Sequence, residues 1–239
     1  MINEKSSLVD DIFELNKRIS ENLWHMKNEA NENGRPSNLS PYVIFPLKRD
    51  ENKTVRISEQ EARIVCCNFL ASQKTYYSVE TPTKKRYVQK GKKPEGISAQ
   101  TDLTIFGFDE HSFSRAVNVE FKAHNPTEKN IGKDIEKLVR EGIQGNWFHI
   151  LNSYNAGTFP ALFSKFKYAF IEYPKEHNNE EFSSKIISIV FCFCVLVKPK
   201  AYMRHFFYEP LQDKYSELVN RFFDGSQSSI DKNWRLLSL

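Results

Sequence analysis

The chain has 239 residues, 40% hydrophobic, 13% aromatic and 27% charged, a composition that can bury a substantial core and that excludes disordered, collagenous and coiled-coil chains. Lysine and arginine outnumber aspartate and glutamate by 34 to 30, a net charge of +4 that points only weakly toward nucleic acid. The longest apolar run, Ile186 to Val197, has 12 residues, short of the ~18 needed to span a bilayer, so it predicts a buried strand and no membrane partner.

Charges scattered from Met1 to Ile19 leave no apolar signal core, and the expected location is cytoplasmic. The cysteine pairs Cys66/Cys67 and Cys192/Cys194 match neither a disulfide framework nor a zinc ribbon, and are read as small reduced core residues. The expected organisation is an N-terminal helical arm and crossing strip over 1–50, packed on a core over 51–239. Leu8, Ile12, Leu15, Ile19 and Leu23 form a helical stripe, read as a brace on the core or a dimerisation helix. Asn-Gly, Arg-Pro, Ser-Pro and Phe-Pro steps between Asn31 and Asn52 break that helix.

Ser58 to Glu61 has the spacing of a capping box, opening a helix to about Ser72 that buries Ala62, Val65, Cys66, Phe69 and Leu70. Thr75 to Glu80 and Arg86 to Gln89 read as strands interrupted at Pro82. Six of the ten residues from Lys84 to Lys93 are basic: Lys84, Lys85, Arg86, Lys90, Lys92 and Lys93. That run is either a solvated loop or, with tyrosine interleaved, a phosphate-contacting loop. Gln100 to Phe108 and Ala116 to Lys122 alternate as an antiparallel hairpin joined by Asp109 to Arg115. Ile131 to Glu141 is an amphipathic helix ended by Gly142 and Gly145, and Trp147 to Leu151 returns as a parallel strand. A helix at Thr158 to Phe166, strands at Lys167 to Tyr173 and Ile186 to Val197, and a helix from Glu209 to Phe223 complete an α/β pattern: a mixed sheet with helices on both faces.

One constellation carries chemistry. Glu120 and Lys122 project from one face of their strand while Val117, Val119 and Phe121 project from the other. A loop centred on His111 sets Asp102 opposite Glu120. Facing carboxylates repel and require a cation, either Lys122 or a divalent metal, and oxygen donors favour Mg²⁺, Mn²⁺ or Ca²⁺ over zinc. A metal on Asp102, Glu120 and the Phe121 backbone carbonyl would polarise a phosphate and acidify a water, with Lys122 orienting or deprotonating that water and stabilising charge. The bland reading is a cross-strand ion pair on an exposed sheet.

These segments, Gln100-Thr101-Asp102-Leu103 and Val119-Glu120-Phe121-Lys122, with an acidic helix before and a basic helix after, resemble the PD-(D/E)xK superfamily of restriction-endonuclease-like nucleases. The resemblance spans about Ser58 to Tyr173, and Thr101 stands where that family's proline would precede the aspartate. It implies a helix-strand-strand-strand-helix-strand core, restriction endonuclease-like, and a catalytic Asp102, Glu120 and Lys122 using Mg²⁺ or Mn²⁺ on DNA, as a homodimer where both strands are cut. It also implies a glutamate from the preceding helix. At ~100° per residue Glu59 lies roughly 60° from the centre of the buried face and Glu61 roughly 100°, so Glu59 is preferred and Glu61 serves the cap. Lys133 and Lys137, four apart, match the family's basic position beside the scissile phosphate, or form a solvated face. Gln100 either helps hold a metal-bound water or satisfies the backbone. His124 reads as a second base or an exposed loop residue, and His149 as a core histidine. The expected function is metal-dependent hydrolysis of DNA phosphodiesters. The alternatives are a catalytically inactive fold of the same type that binds nucleic acid or a partner protein through the basic run, and a structural oligomer held by the N-terminal helix.

Overall fold

The apolar stripe of the first helix, α1 (Leu8–Asn28), buries Ile12, Leu15, Ile19, Leu23 and Met26 against one face of a sheet. Residues 7–28, 57–87, 97–177, 180–210 and 214–239 are described by a computed structural model. The expected crossing strip between Asn31 and Asn52 lies outside them. Helix α2 (Glu59–Ser72) starts at the predicted capping box: the Ser58 amide donates to Glu61 Oε2 at 2.7 Å, and Ala62, Val65, Cys66 and Leu70 join α1 on the sheet.

The strands are β1 (Tyr76–Tyr87), β2 (Ile97–Asp109), β3 (Ser112–Ala123), β4 (Gln144–Leu151), β5 (Ile187–Val195), β6 (Lys200–Tyr208) and β7 (Arg235–Ser238). They lie side by side in chain order in one mixed sheet, with β3, β4 and β5 parallel and the remaining neighbours antiparallel. Helices α3 (Glu128–Glu141), α4 (Thr158–Glu176), α5 (Tyr215–Phe222) and α6 (Gln227–Asn233) cover the face opposite α1 and α2. Alternation fixes the two cores: Trp147 and Leu151 of β4 point to α3 and α4, Phe148 and Ile150 to α1 and α2. The α3/α4 side is rich in phenylalanine, each fully buried ring contributing about 1.5–3 kcal/mol relative to exposure. At Gly132 an added Cβ would collide with the Tyr173 ring, so glycine is what lets α3 and α4 close on each other. Among the described residues no helix is long and apolar enough to cross a membrane.

Several segments depart from expectation. Lys167 to Tyr173 is the second half of α4 and not a strand. Phe159, Leu162, Phe163, Phe166, Ala169, Phe170 and Tyr173 keep one buried helical stripe, and packing on the sheet overrides the strand preference of the local aromatics. Strand β1 runs through Pro82 with a register shift between Pro82 and Arg86, so Lys84, Lys85 and Arg86 lie in a strand and not in a loop. Proline is tolerated because β1 is an edge strand. Gly142, in the left-handed region at φ 67°, ends α3 alone, and Gly145 already belongs to β4. The helix expected from Glu209 to Phe223 is described only as α5, which starts after Lys214. Strand β6 falls where the sequence suggested no element, and the guanidinium of its Arg204 donates to the Phe222 carbonyl at 2.9 Å and lies over that ring.

Candidate active site

The register of the β2/β3 hairpin depends on one extra residue. A two-residue turn, Glu110-His111, joins Asp109 to Ser112, and Asp109 Oδ1 accepts from the His111 and Ser112 amides. From that turn alone Asp102 would face Val119. Between Phe106↔Arg115 and Ile105↔Val117 the strand carries a bulge at Ala116, which advances β3 by one position and restores the pairing Leu103↔Val119. The paired ladder ends there, and Asp102, the next residue of β2, accepts through Oδ2 from the Phe121 amide at 2.8 Å, which holds its carboxylate against β3 beside Glu120. Val117, Val119 and Phe121 enter the α1/α2 core, so Glu120 and Lys122 share the face beneath α3.

There the acids meet lysines. Glu120 is 0% exposed; Lys137 Nζ lies 2.7 Å from its Oε1, off the angle of a well-formed hydrogen bond, and Oε2 has no hydrogen-bond partner. The same ammonium lies 2.8 Å from Asp134 Oδ1 and donates to the Gln100 carbonyl at 2.9 Å. Asp134 Oδ2 pairs with Lys122 Nζ at 2.9 Å. Burial, then the Asp134 charge, pushes the Glu120 carboxyl well above the ordinary range; Lys137 pulls it down and Asp102 adds to the rise. Burial alone would lower the Lys122 ammonium, but Asp134, Asp102 and Glu120 together hold it above a free lysine. Three carboxylates thus face two ammonium groups.

The other candidates fall in distinct places. Glu59 Oε1 accepts from the Ala123 amide at 3.3 Å at the end of β3, while Glu61 is engaged in the cap. Glu59, Lys122, His124, Asn130, Lys133 and Asp134 line an open cleft of about 430 Å³, whose walls include neither Asp102 nor Glu120. Gln100 contributes its backbone carbonyl, its side chain being exposed. His124 is exposed at φ 64°, with its ring 2.6 Å from the Asn152 amide and its carbonyl 3.0 Å from His149 Nε2, so it has partners. His149 is a core residue between Trp147 and Phe193, and burial lowers it to about 4. Of the basic run, Lys84 and Lys85 have exposed side chains and backbone amides donating to Glu141 at 2.9 and 3.0 Å, and Arg140 donates to the Arg86 carbonyl. Lys90, Lys92 and Lys93 lie outside the described residues.

Asp134 was not among the residues singled out from sequence. Its signal is position: it falls within the inward stripe of Ile131, Ile135 and Leu138, where a carboxylate demands a partner. Among the described residues no group of three or more histidine, cysteine, aspartate or glutamate side chains is gathered to hold a metal. The carboxylates are instead interleaved with lysines. The residues still fit a hard divalent cation: the donors are oxygens, and the fully buried Glu120 keeps one acceptor without a partner. Comparison with family models, with curated proteins and with solved structures finds no match.

Proposed function

We propose that the chain is a divalent-metal-dependent nuclease that hydrolyses DNA phosphodiesters, with a restriction endonuclease-like core. The observation that carries this reading is the fully buried Glu120 with an unpartnered acceptor oxygen, next to the Phe121 amide that holds Asp102 and on the same strand face as Lys122. The order α2-β1-β2-β3-α3-β4, with β3 and β4 parallel, supports the core assignment. Asp102, Glu120 and the Phe121 carbonyl would hold Mg²⁺ or Mn²⁺, which when bound polarises a phosphate and acidifies a water. Lys122, held as an ammonium by Asp134, places positive charge beside the phosphoryl oxygens; it stabilises charge and does not serve as a base. Glu59 and Lys133, on the cleft wall, orient water and contact the phosphate. Lys84, Lys85 and Arg86, exposed on β1 where it pairs with the start of β2, supply backbone contacts to DNA. The setting is the cytoplasm, and cutting both strands would take a homodimer.

One observation favours a second reading. The ion pairs of Glu120, Lys137, Asp134 and Lys122 satisfy most of the cluster's charge without metal, as in a catalytically inactive fold that only binds nucleic acid or a partner protein. Incubation with linear and supercoiled DNA separates the two. Cleavage requiring Mg²⁺ or Mn²⁺ and falling roughly 10² to 10⁴-fold in Lys122→Ala is expected of the nuclease. Metal-independent DNA binding without cleavage is expected of the inactive fold.

A further inference from the structure

Lys137 reaches from α3 into a cage of three oxygens: Glu120 Oε1 at 2.7 Å, Asp134 Oδ1 at 2.8 Å and the Gln100 carbonyl at 2.9 Å. Two of the three belong to carboxylates, and the Glu120 side chain is wholly shielded from water. A buried carboxylate with no cation beside it is costly, so in the metal-free protein the ammonium is the group that keeps Glu120 in place. We propose that Lys137 is a resident counterion that competes with the divalent metal for Glu120, so that metal binds only as the ammonium withdraws from that carboxylate.

This role for Lys137 rests on the metal-site reading above and names the residue that sets that site's affinity. A dication ligated by Glu120 would sit at about 2.1 Å from its oxygen, forcing like charges together in a site where water screens poorly. Lys137 need not leave the cluster when this happens. Asp134 and the Gln100 carbonyl remain within its reach, and Asp134 already holds Lys122 by its other oxygen. The exchange therefore trades one cation for another at Glu120 while the second carboxylate retains both lysines. A monovalent ion offers no gain in this exchange, so the device selects for double charge.

Calorimetric titration of Mn²⁺ into the full chain, Lys137→Gln, Lys137→Arg and Asp102→Ala tests the idea. Lys137→Gln should bind Mn²⁺ roughly tenfold or more tightly than the wild type, and Lys137→Arg, which keeps the charge, no more tightly. Should Lys137→Gln fail to fold, the wild type still decides. Acylation of Lys137 by an amine-reactive reagent, followed by peptide mass spectrometry, should speed up several-fold on saturation with Mn²⁺. Equal affinity in Lys137→Gln and the wild type, with binding abolished by Asp102→Ala, overturns the competition and leaves the metal site standing. Labelling unchanged by saturating metal does the same. No saturable binding by either the wild type or Lys137→Gln removes the metal site, and the proposal with it.

Discussion

Asn146 on β4 and Glu120 on β3 lie one step apart across the same pair of strands, both 0% exposed, and the protein treats them oppositely. Asn146 points to α1, where it and Asn16 exchange two hydrogen bonds of 2.9 Å in a closed amide pair. Glu120 points to α3, lies against the Lys137 ammonium, and keeps Oε2 without a hydrogen-bond partner. A buried amide pair that satisfies itself fixes how α1 docks on the sheet and asks for nothing more. A buried carboxylate left incomplete keeps an acceptor open to a further partner. The difference separates a stabilising polar core from a candidate site without reference to either residue's chemistry of reaction.

The sharpest way to break that contrast is Glu120→Gln, which removes the charge and keeps the shape. Metal-dependent cleavage should fall by roughly 10²-fold or more, while Asp134 keeps Lys137 paired and the metal-free variant stays folded. A destabilised variant that still cleaves would place Glu120 with Asn146 as a structural residue.

The next largest effect concerns His149, which lies on the Glu120 side of the sheet beside Lys122 in the β3/β4 register. Burial depresses its pKa from 6.5 to about 4 in the folded chain. Between those values the unfolded chain takes up a proton that the folded chain refuses. Its contribution is therefore intact above the unfolded pKa and erodes as pH falls toward the folded one, a loss of about 3 kcal/mol. The stability gap between the wild type and His149→Gln, followed by urea unfolding, should shrink by that order on going from pH 7 to pH 4. A pH-independent gap would mean that His149 charges freely in the fold.

On the opposite face Asn146→Ala should cost about 1–3 kcal/mol by leaving Asn16 unpaired, with cleavage per folded molecule unchanged. Replacing both asparagines by leucine should recover most of that loss, because no polar group is then abandoned. Denaturant midpoints of the single and double variants measure both. A double variant as unstable as the single would show that the amide pair is worth more than its mutual satisfaction.

How much of this was legible in the sequence depends on the range of the interaction. The same-face placement of Glu120 and Lys122 follows from the period of a strand, and the cap at Ser58 and Glu61 from local spacing, so both were readable. The facing of Asp102 and Glu120 was expected from a loop centred on His111. The expected offset is present as Leu103↔Val119, reached through a tighter turn, Glu110-His111, compensated by the bulge at Ala116, two departures that cancel. The placement of Asp134 and the contact of Lys137 with Glu120 depend on how α3 lies over β3, which no local pattern specifies. The same holds for α4, where Lys167 to Tyr173 carries strand-like residues on a helical stripe that only the sheet beneath selects.

In a metal-dependent nuclease of this geometry the oxygens of Asp102 and Glu120 form a site for a divalent cation. Titration calorimetry of Mn²⁺ and Mg²⁺ into the wild type and Asp102→Ala tests it most directly. The account predicts saturable binding to the wild type that is lost in Asp102→Ala while the variant's fold is retained. Binding of equal strength in both chains would contradict it.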